Sequence, residues 1–237
     1  MPDNDIQDRD GVRERLLQLA EDNPIDLDII EKHGNFPTRK AAQVWASRQT
    51  NAGRLKHVGT MKNGQGKKVV NVFCNGWTPK DDNLRHEVVG TRMRLLFPAF
   101  NVERGYGLPF QTDLVLKNAG RVFYVEIDCG TMKRPRVHAR WREYLKCQND
   151  LLIVAAPIRN SEGRMHTLME WSQSVGRIAH FTTIERLESH GSHARVWDYL
   201  GRRDPMLRRV PLAVPPVIES LGEGTPEVVC PQLVAEA

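Results

Sequence analysis

Apolar residues recur at helical spacing over residues 11–22 (GVRERLLQLAED), where Val12, Leu16, Leu17 and Leu19 fall to one side. That period predicts an amphipathic helix. Residues 25–33 (IDLDIIEKH) predict a second helix, with Pro24 at its start and Gly34 just past its end. Residues 38–53 predict a third, opened by Thr38 as N-cap. Its apolar side carries Ala41, Val44, Trp45 and Ala52; its polar side carries Lys40, Gln43, Ser47, Arg48 and Asn51. Two short β-rich stretches follow, around 58–61 and 69–73, on either side of Asn63-Gly64-Gln65-Gly66. Asn-Gly favours a tight hairpin turn, whose two central residues need positive φ.

The texture changes after residues 76–83 (GWTPKDDN), which read as a linker. LRHEVVGTRMRLLF predicts a helix with Leu84, Val88 and Leu95 on one side, ended by Pro98. A short strand is expected at 100–104. Two β-rich runs, 110–117 (FQTDLVLK) and 121–129 (RVFYVEIDC), are joined by Asn118-Ala119-Gly120. Residues 134–147 predict a helix, with Val137, Trp141, Tyr144 and Leu145 at helical spacing. The apolar run DLLIVAAP predicts a strand covered on both faces. A helix over 166–175 and a strand over 178–183 complete a strand–helix–strand order, which implies a right-handed crossover and a parallel pair. From Pro211 onward the chain is rich in Pro, Gly and Glu without periodicity, as in a disordered tail.

These elements predict an α/β chain, α+β overall. Three helices and a hairpin form a winged helix-turn-helix over 10–75, a linker spans 76–83, an αβββαβ domain spans 84–205, and a tail spans 211–237.

Charge sharpens the first part. The formal net charge is only +5, but no Asp or Glu occurs between Gly34 and Lys80, where Arg39, Lys40, Arg48, Arg54, Lys56, Lys62, Lys67, Lys68 and Lys80 all lie. A one-signed block is the electrostatic footprint of a polyanion binder. A solvated basic face, or a winged helix used only for docking protein, is the plainer alternative. On the DNA reading the third helix enters the major groove with Arg39, Lys40, Gln43, Arg48 and Asn51, and Arg54 and the hairpin lysines Lys62, Lys67 and Lys68 lie along the backbone.

Other features narrow the field. The four cysteines form no CxxC pair and suit a reducing cytosol. His190 and His193 lack the surroundings of a zinc site, the GYG at 105–107 lacks a dinucleotide frame, and no GxSxG occurs. No apolar run reaches eighteen residues, and the first fifteen are polar and acidic, so neither a membrane span nor a signal peptide is expected. The expected location is cytoplasmic, on the nucleoid or a plasmid.

The order helix, strand hairpin, helix, buried strand resembles the αβββαβ core of the restriction-endonuclease-like, or PD-(D/E)xK, nucleases. That resemblance makes Asp113 in QTDLVLK and Glu126 in YVEID the paired strand carboxylates, with Glu87 on the preceding helix as the additional acid. Buried carboxylates are costly unless paired or bound to a cation. Two on adjacent strands could share Mg²⁺ or Mn²⁺, which would activate water beside a scissile phosphate. The motif's lysine position holds Asp128, which could serve as a third metal ligand, and Lys133, Arg136 or Arg140 could supply the missing positive charge. The expected catalytic set is therefore Glu87, Asp113, Glu126, Asp128, Lys133 and Arg140, with Asp113, Glu126 and Asp128 as metal ligands.

A narrower likeness concerns VEIDCGTMKRPRVHARWREYLK, followed by LLIVAAP, HFTTIERL and VWDYL. The chain resembles the replication-relaxation family of plasmid and mobile-element proteins, which combine a winged helix with a nuclease-like domain and carry an E-x-D-x-G-T signature. Glu126, Asp128, Gly130, Thr131, Arg140, Tyr144 and Trp197 match its pattern. The resemblance implies a role in plasmid replication initiation, DNA relaxation or mobilisation. Duplex DNA is the expected partner, with replication or mobilisation proteins and a second copy of the chain as further candidates. The alternatives are an active Mg²⁺-dependent endonuclease or nickase, and a winged-helix transcriptional regulator.

Overall fold

The computed structural model describes residues 3–63, 68–80, 83–98, 100–105, 111–118, 121–146, 150–175, 179–190, 195–198 and 208–211. Lys67, the 64–67 turn, His193 and the expected tail beyond Pro211 lie outside them. The described chain is mixed α/β with two sheets.

The first unit contains α1 (Asp3–Asp22), β1 (Ile25–Asp26), α2 (Leu27–His33), α3 (Arg39–Asn51), β2 (Lys56–Asn63) and β3 (Lys68–Cys74). Its three antiparallel strands run in the order β1-β3-β2. Helix α2 starts two residues later than its hydrophobic period implies. Asp26 is the cause: its Oδ1 accepts the Ile29 N–H at 2.8 Å, capping the helix, while Ile25 and Asp26 pair with Phe73 and Val72. Thr38 caps α3 as expected, accepting from the Ala41 N–H at 3.2 Å.

The face that α3 buries differs from the expected one. Ala42 and Ala46 are fully buried where α3 packs on α2, whereas Val44 is 43% exposed and Ala52 is exposed. Small side chains, one turn apart, are what a helix–helix contact admits. They join Leu16, Leu17, Ala20, Ile25, Ile30, Val70 and Val72 in one core.

The second unit runs α4 (Leu84–Leu96), β4 (Asn101–Arg104), β5 (Leu114–Asn118), β6 (Arg121–Asp128), α5 (Arg134–Tyr144), β7 (Asp150–Ala155), α6 (Ser161–Gln173), β8 (His180–Thr183), α7 (Ile184–His190), β9 (Arg195–Asp198) and β10 (Arg208–Pro211). Its strands form one sheet in the order β10-β9-β8-β7-β6-β5-β4. Strands β4, β5 and β6 pair antiparallel; β6, β7 and β8 are mutually parallel through the α5 and α6 crossovers, as the strand–helix–strand order implied. Helices cover both faces, which is why Leu151 to Ala155 are all buried. Val125 and Ile127 point to the α4 and α7 face. Glu126 and Asp128, one residue out of phase, point to the α5 and α6 face.

Three elements, α7, β9 and β10, lie beyond the expected pattern. Helix α6 also begins five residues earlier than its apolar period, because Asn160, at φ 53°, caps it by accepting the Gly163 N–H at 3.0 Å. Strand β5 begins only at Leu114, so Asp113 stands just before it.

Helix α4 belongs to both cores. Leu84 and Val88 pack with the first unit, Val89 and Met93 with the second. Polar contacts reinforce the junction. Arg85 donates to the carbonyls of Lys62, Ala156 and Pro157 at 2.8–2.9 Å, tying the β2–β3 hairpin to the sheet. Thr91 Oγ1 donates to the Pro24 carbonyl at 2.7 Å, and Arg92 joins buried Asp26 (2.5 Å) to Glu188 (2.6 Å). The stretch read as a linker is pinned as well: Trp77 Nε1 donates to the Asp22 carbonyl at 2.9 Å.

Candidate functional site

Two arrangements bring chemistry-bearing residues together. The first is the outward face of α3. Lys40, Gln43, Val44, Ser47, Arg48 and Asn51 are all exposed, and their spacing of three and four residues puts them on a single stripe. Two of the expected contact residues lie elsewhere. Arg39 turns back to Asp28 and to Glu31 (3.5 Å), bracing α3 on α2. Arg54 makes a two-pronged contact with Glu14 at 2.5 and 2.7 Å, tying the end of α3 to α1. Lys62 is exposed on β2, and Lys68 stands opposite Asn63 at the start of β3.

The second arrangement is a carboxylate cluster at one end of β6. Asp113 and Glu126, from neighbouring segments, meet at one nitrogen: Arg140 Nη2 lies 3.2 Å from Asp113 Oδ1 and 3.1 Å from Glu126 Oε1. Both carboxylate side chains are at least nine-tenths buried. Asp113 Oδ2 also accepts the Ile127 N–H at 2.7 Å and faces His86 Nε2 at 3.0 Å. Burial disfavours the Asp113 anion, yet His86, Arg140 and the Ile127 N–H together hold its carboxyl below the ordinary range. Burial likewise opposes the His86 cation, and Asp113 outweighs it, so His86 is raised.

Glu126 behaves in the opposite way. Burial, then the Asp113 charge, push its carboxyl well above the ordinary range. Arg140 and the Tyr144 hydroxyl, which donates to Glu126 Oε1, oppose that rise without cancelling it. Tyr144 Oη also lies 2.6 Å from the Gln111 carbonyl. The cluster thus sets two carboxyls shifted in opposite directions on either side of the Arg140 guanidinium.

Asp128 does not join them. Arg164 on α6 grips it bidentately at 2.7 and 2.8 Å and stacks over Trp171 at 4.9 Å. Asp128 Oδ1 also accepts the Gly130 N–H at 2.8 Å. Gly130 has φ 85°, and an added Cβ there would lie 3.0 Å from Pro157, so the turn suits glycine. Glu87 is bound to Arg104 at 3.2 Å; it lines the groove near Trp77 and also a small cavity with His86 and Asp113, outside the Arg140 contacts. Lys133 is exposed at the cap of α5 and has no ion pair among the described residues. Of the six expected catalytic residues, the structure brings together Asp113, Glu126 and Arg140.

The fit to a divalent ion can be judged from these contacts. The position between Asp113 and Glu126 is taken by Arg140 Nη2, and the third expected ligand, Asp128, faces Arg164. No group of three metal-ligating side chains occurs among the described residues. As placed, these residues do not fit Mg²⁺ or Mn²⁺. Cys129, near the same strand end, has its thiol pushed up to about 12 by burial, so it offers no thiolate at neutral pH.

His86 and Arg164 were absent from the sequence-derived set. His86 adjoins Glu87 and follows Leu84 by two positions, so the helical period alone marks it as flanking the buried side. Arg164 has no local signal, because its partner is 36 residues earlier.

No family model matches the chain, and no curated protein is similar to it. Among the described residues, no helix is long and apolar enough to cross a membrane.

Proposed function

We propose that this chain is a DNA-binding protein of a plasmid or mobile element, acting in replication initiation, DNA relaxation or mobilisation. On this reading the first unit is a winged helix-turn-helix and the second a nuclease-like domain used for binding rather than cutting. The exposed α3 stripe carries the reading. It presents Lys40 and Arg48 on either side of Gln43 and Ser47, with Asn51 one turn further on, in a segment without acids. Cations position a helix on phosphates, and amide side chains read base edges. The plasmid context rests on the resemblance around 122–146.

The test is a gel-shift series with duplex DNA from low to high salt. Affinity should fall steeply, because each phosphate contact releases counterions and adds about −0.9 to the slope of log K against log salt. Affinity that ignores salt would refute the reading.

A second reading, a Mg²⁺- or Mn²⁺-dependent endonuclease, is favoured by the meeting of Asp113 and Glu126. It requires Arg140 to leave the shared position. Nicking of supercoiled plasmid by the wild type with either ion, lost in Asp113→Ala, would establish it; intact plasmid under all divalent ions tried would dismiss it.

A further inference from the structure

Val44 interrupts an otherwise polar stripe. It lies between Gln43 and Ser47 near the middle of α3, and its 43% exposure leaves an apolar branched side chain facing outward. Beside it runs an open groove of about 490 Å³, rimmed by Arg13, Lys40 and Arg48 and floored by Phe36 and Trp45. No Asp or Glu lines that groove. Arg13 lies over the Phe36 ring at 4.6 Å, and Phe36 packs on Trp45 at 5.5 Å between centroids, so the floor is a preformed surface.

Arg13 is paired with Asp10 at 3.6 Å, but Lys40 and Arg48 have no ion pair among the described residues. Two such cations on an acid-free groove call for an anionic occupant, which an apolar peptide is not. An exposed methyl pair at the centre of the cationic stripe calls for an apolar spot on that anion. Within a DNA major groove the apolar spot is the 5-methyl group of thymine, the one such group base edges present there. We infer that Val44 is a specificity-determining residue that packs on a thymine methyl, while Lys40 and Arg48 hold the adjoining phosphates. This rests on the DNA-binding reading and adds to it a base preference.

The probe is a duplex library with a random core of about 20 base pairs, two helical turns. The wild-type full chain selects from it, and the selected duplex is then remade with deoxyuridine for thymine at single positions. At one position or more, loss of the methyl should weaken wild-type binding about four-fold, matching about 0.8 kcal/mol for one buried carbon. Val44→Ser, a surface change whose folding is checked by circular dichroism, should bind the thymine and deoxyuridine duplexes equally.

A wild type indifferent to deoxyuridine at every position overturns the inference and leaves salt-dependent DNA binding standing. Discrimination that persists unchanged in Val44→Ser, or binding without any sequence enrichment, also overturns it. Failure of the library to bind at any salt removes the DNA-binding reading itself.

Discussion

Replacing Arg140 by Ala probes the carboxylate cluster most sharply. In the folded chain its guanidinium stands 3.2 Å from Asp113 and 3.1 Å from Glu126. At an effective dielectric of about 20, a unit pair at that distance attracts by roughly 5 kcal/mol before desolvation. Removing one partner of a buried pair typically costs about 3–5 kcal/mol, because the other charge is left uncompensated. Two features reduce that here. Arg140 is 30% exposed, so water screens part of the attraction, and Asp113 keeps His86 and the Ile127 N–H as partners when Arg140 is lost. A destabilisation of about 2 kcal/mol results, or a fall in Tm of about 4–8 °C for a chain of this size. Differential scanning calorimetry at neutral pH reads it directly.

The same variant tests what occupies the cation position. Vacating it should let Mg²⁺ bind, so millimolar Mg²⁺ should raise the Tm of Arg140→Ala and leave the wild type unmoved. An unchanged Tm in Arg140→Ala, or Mg²⁺ stabilisation of the wild type, would refute the reasoning.

Other outcomes follow from the same contacts. Glu126 has a raised folded pKa, so its protonated form favours the fold; its contribution is full below about 4.5 and is lost as pH rises through the folded value. Glu126→Gln mimics the neutral acid, and its Tm advantage over wild type should widen with pH above that point; a pH-independent difference would mean Glu126 is ionised in the fold. His86 is raised and Asp113 lowered, so their pairing stabilises most between about pH 4 and 6.5, is lost as pH rises through the folded His86 value, and is lost as pH falls through that of Asp113. In His86→Ala the alkaline decline in Tm should flatten, measured by thermal melts across that range. Tyr144→Phe strips the hydroxyl from buried Glu126 and from the Gln111 carbonyl and should cost about 1–3 kcal/mol in denaturant titrations. Arg92→Ala leaves Asp26, fully buried, without its cation at the junction of the two cores, and should cost about 3 kcal/mol or more with both units unfolding together.

Periodicity carried much of the architecture, because hydrophobic spacing is a local record of which face is buried. The polar side of α3 is a case in point: Lys40, Gln43, Ser47, Arg48 and Asn51 are exposed as their spacing implied. Val44 differs because apolar character does not by itself fix burial: the contact with α2 admits Ala42 and Ala46 and leaves the valine outside. The start of α2 departs from the apolar period for a related reason. Ile25 fits the helical period, but Asp26 caps the helix and puts Ile25 on a strand whose partner, Phe73, is remote in sequence. The Asp113–Glu126 meeting was legible through two acids in apolar strand surroundings. Its occupant was not. Whether a metal or Arg140 fills the space between them depends on how α5 lies against β6, and the capture of Asp128 by Arg164 depends on where α6 packs. Tertiary placement decides both, and no local pattern encodes it.

On the proposed reading, the α3 stripe grips the phosphate backbone. Its most direct measurement is the salt dependence of duplex binding for wild type and for the Lys40→Ala/Arg48→Ala pair, read by fluorescence anisotropy. Each lost phosphate contact lowers the steepness of log K against log salt by about 0.9, so the variant should bind more weakly with a slope shallower by about two. Equal slopes and equal affinities for the two proteins would contradict the account.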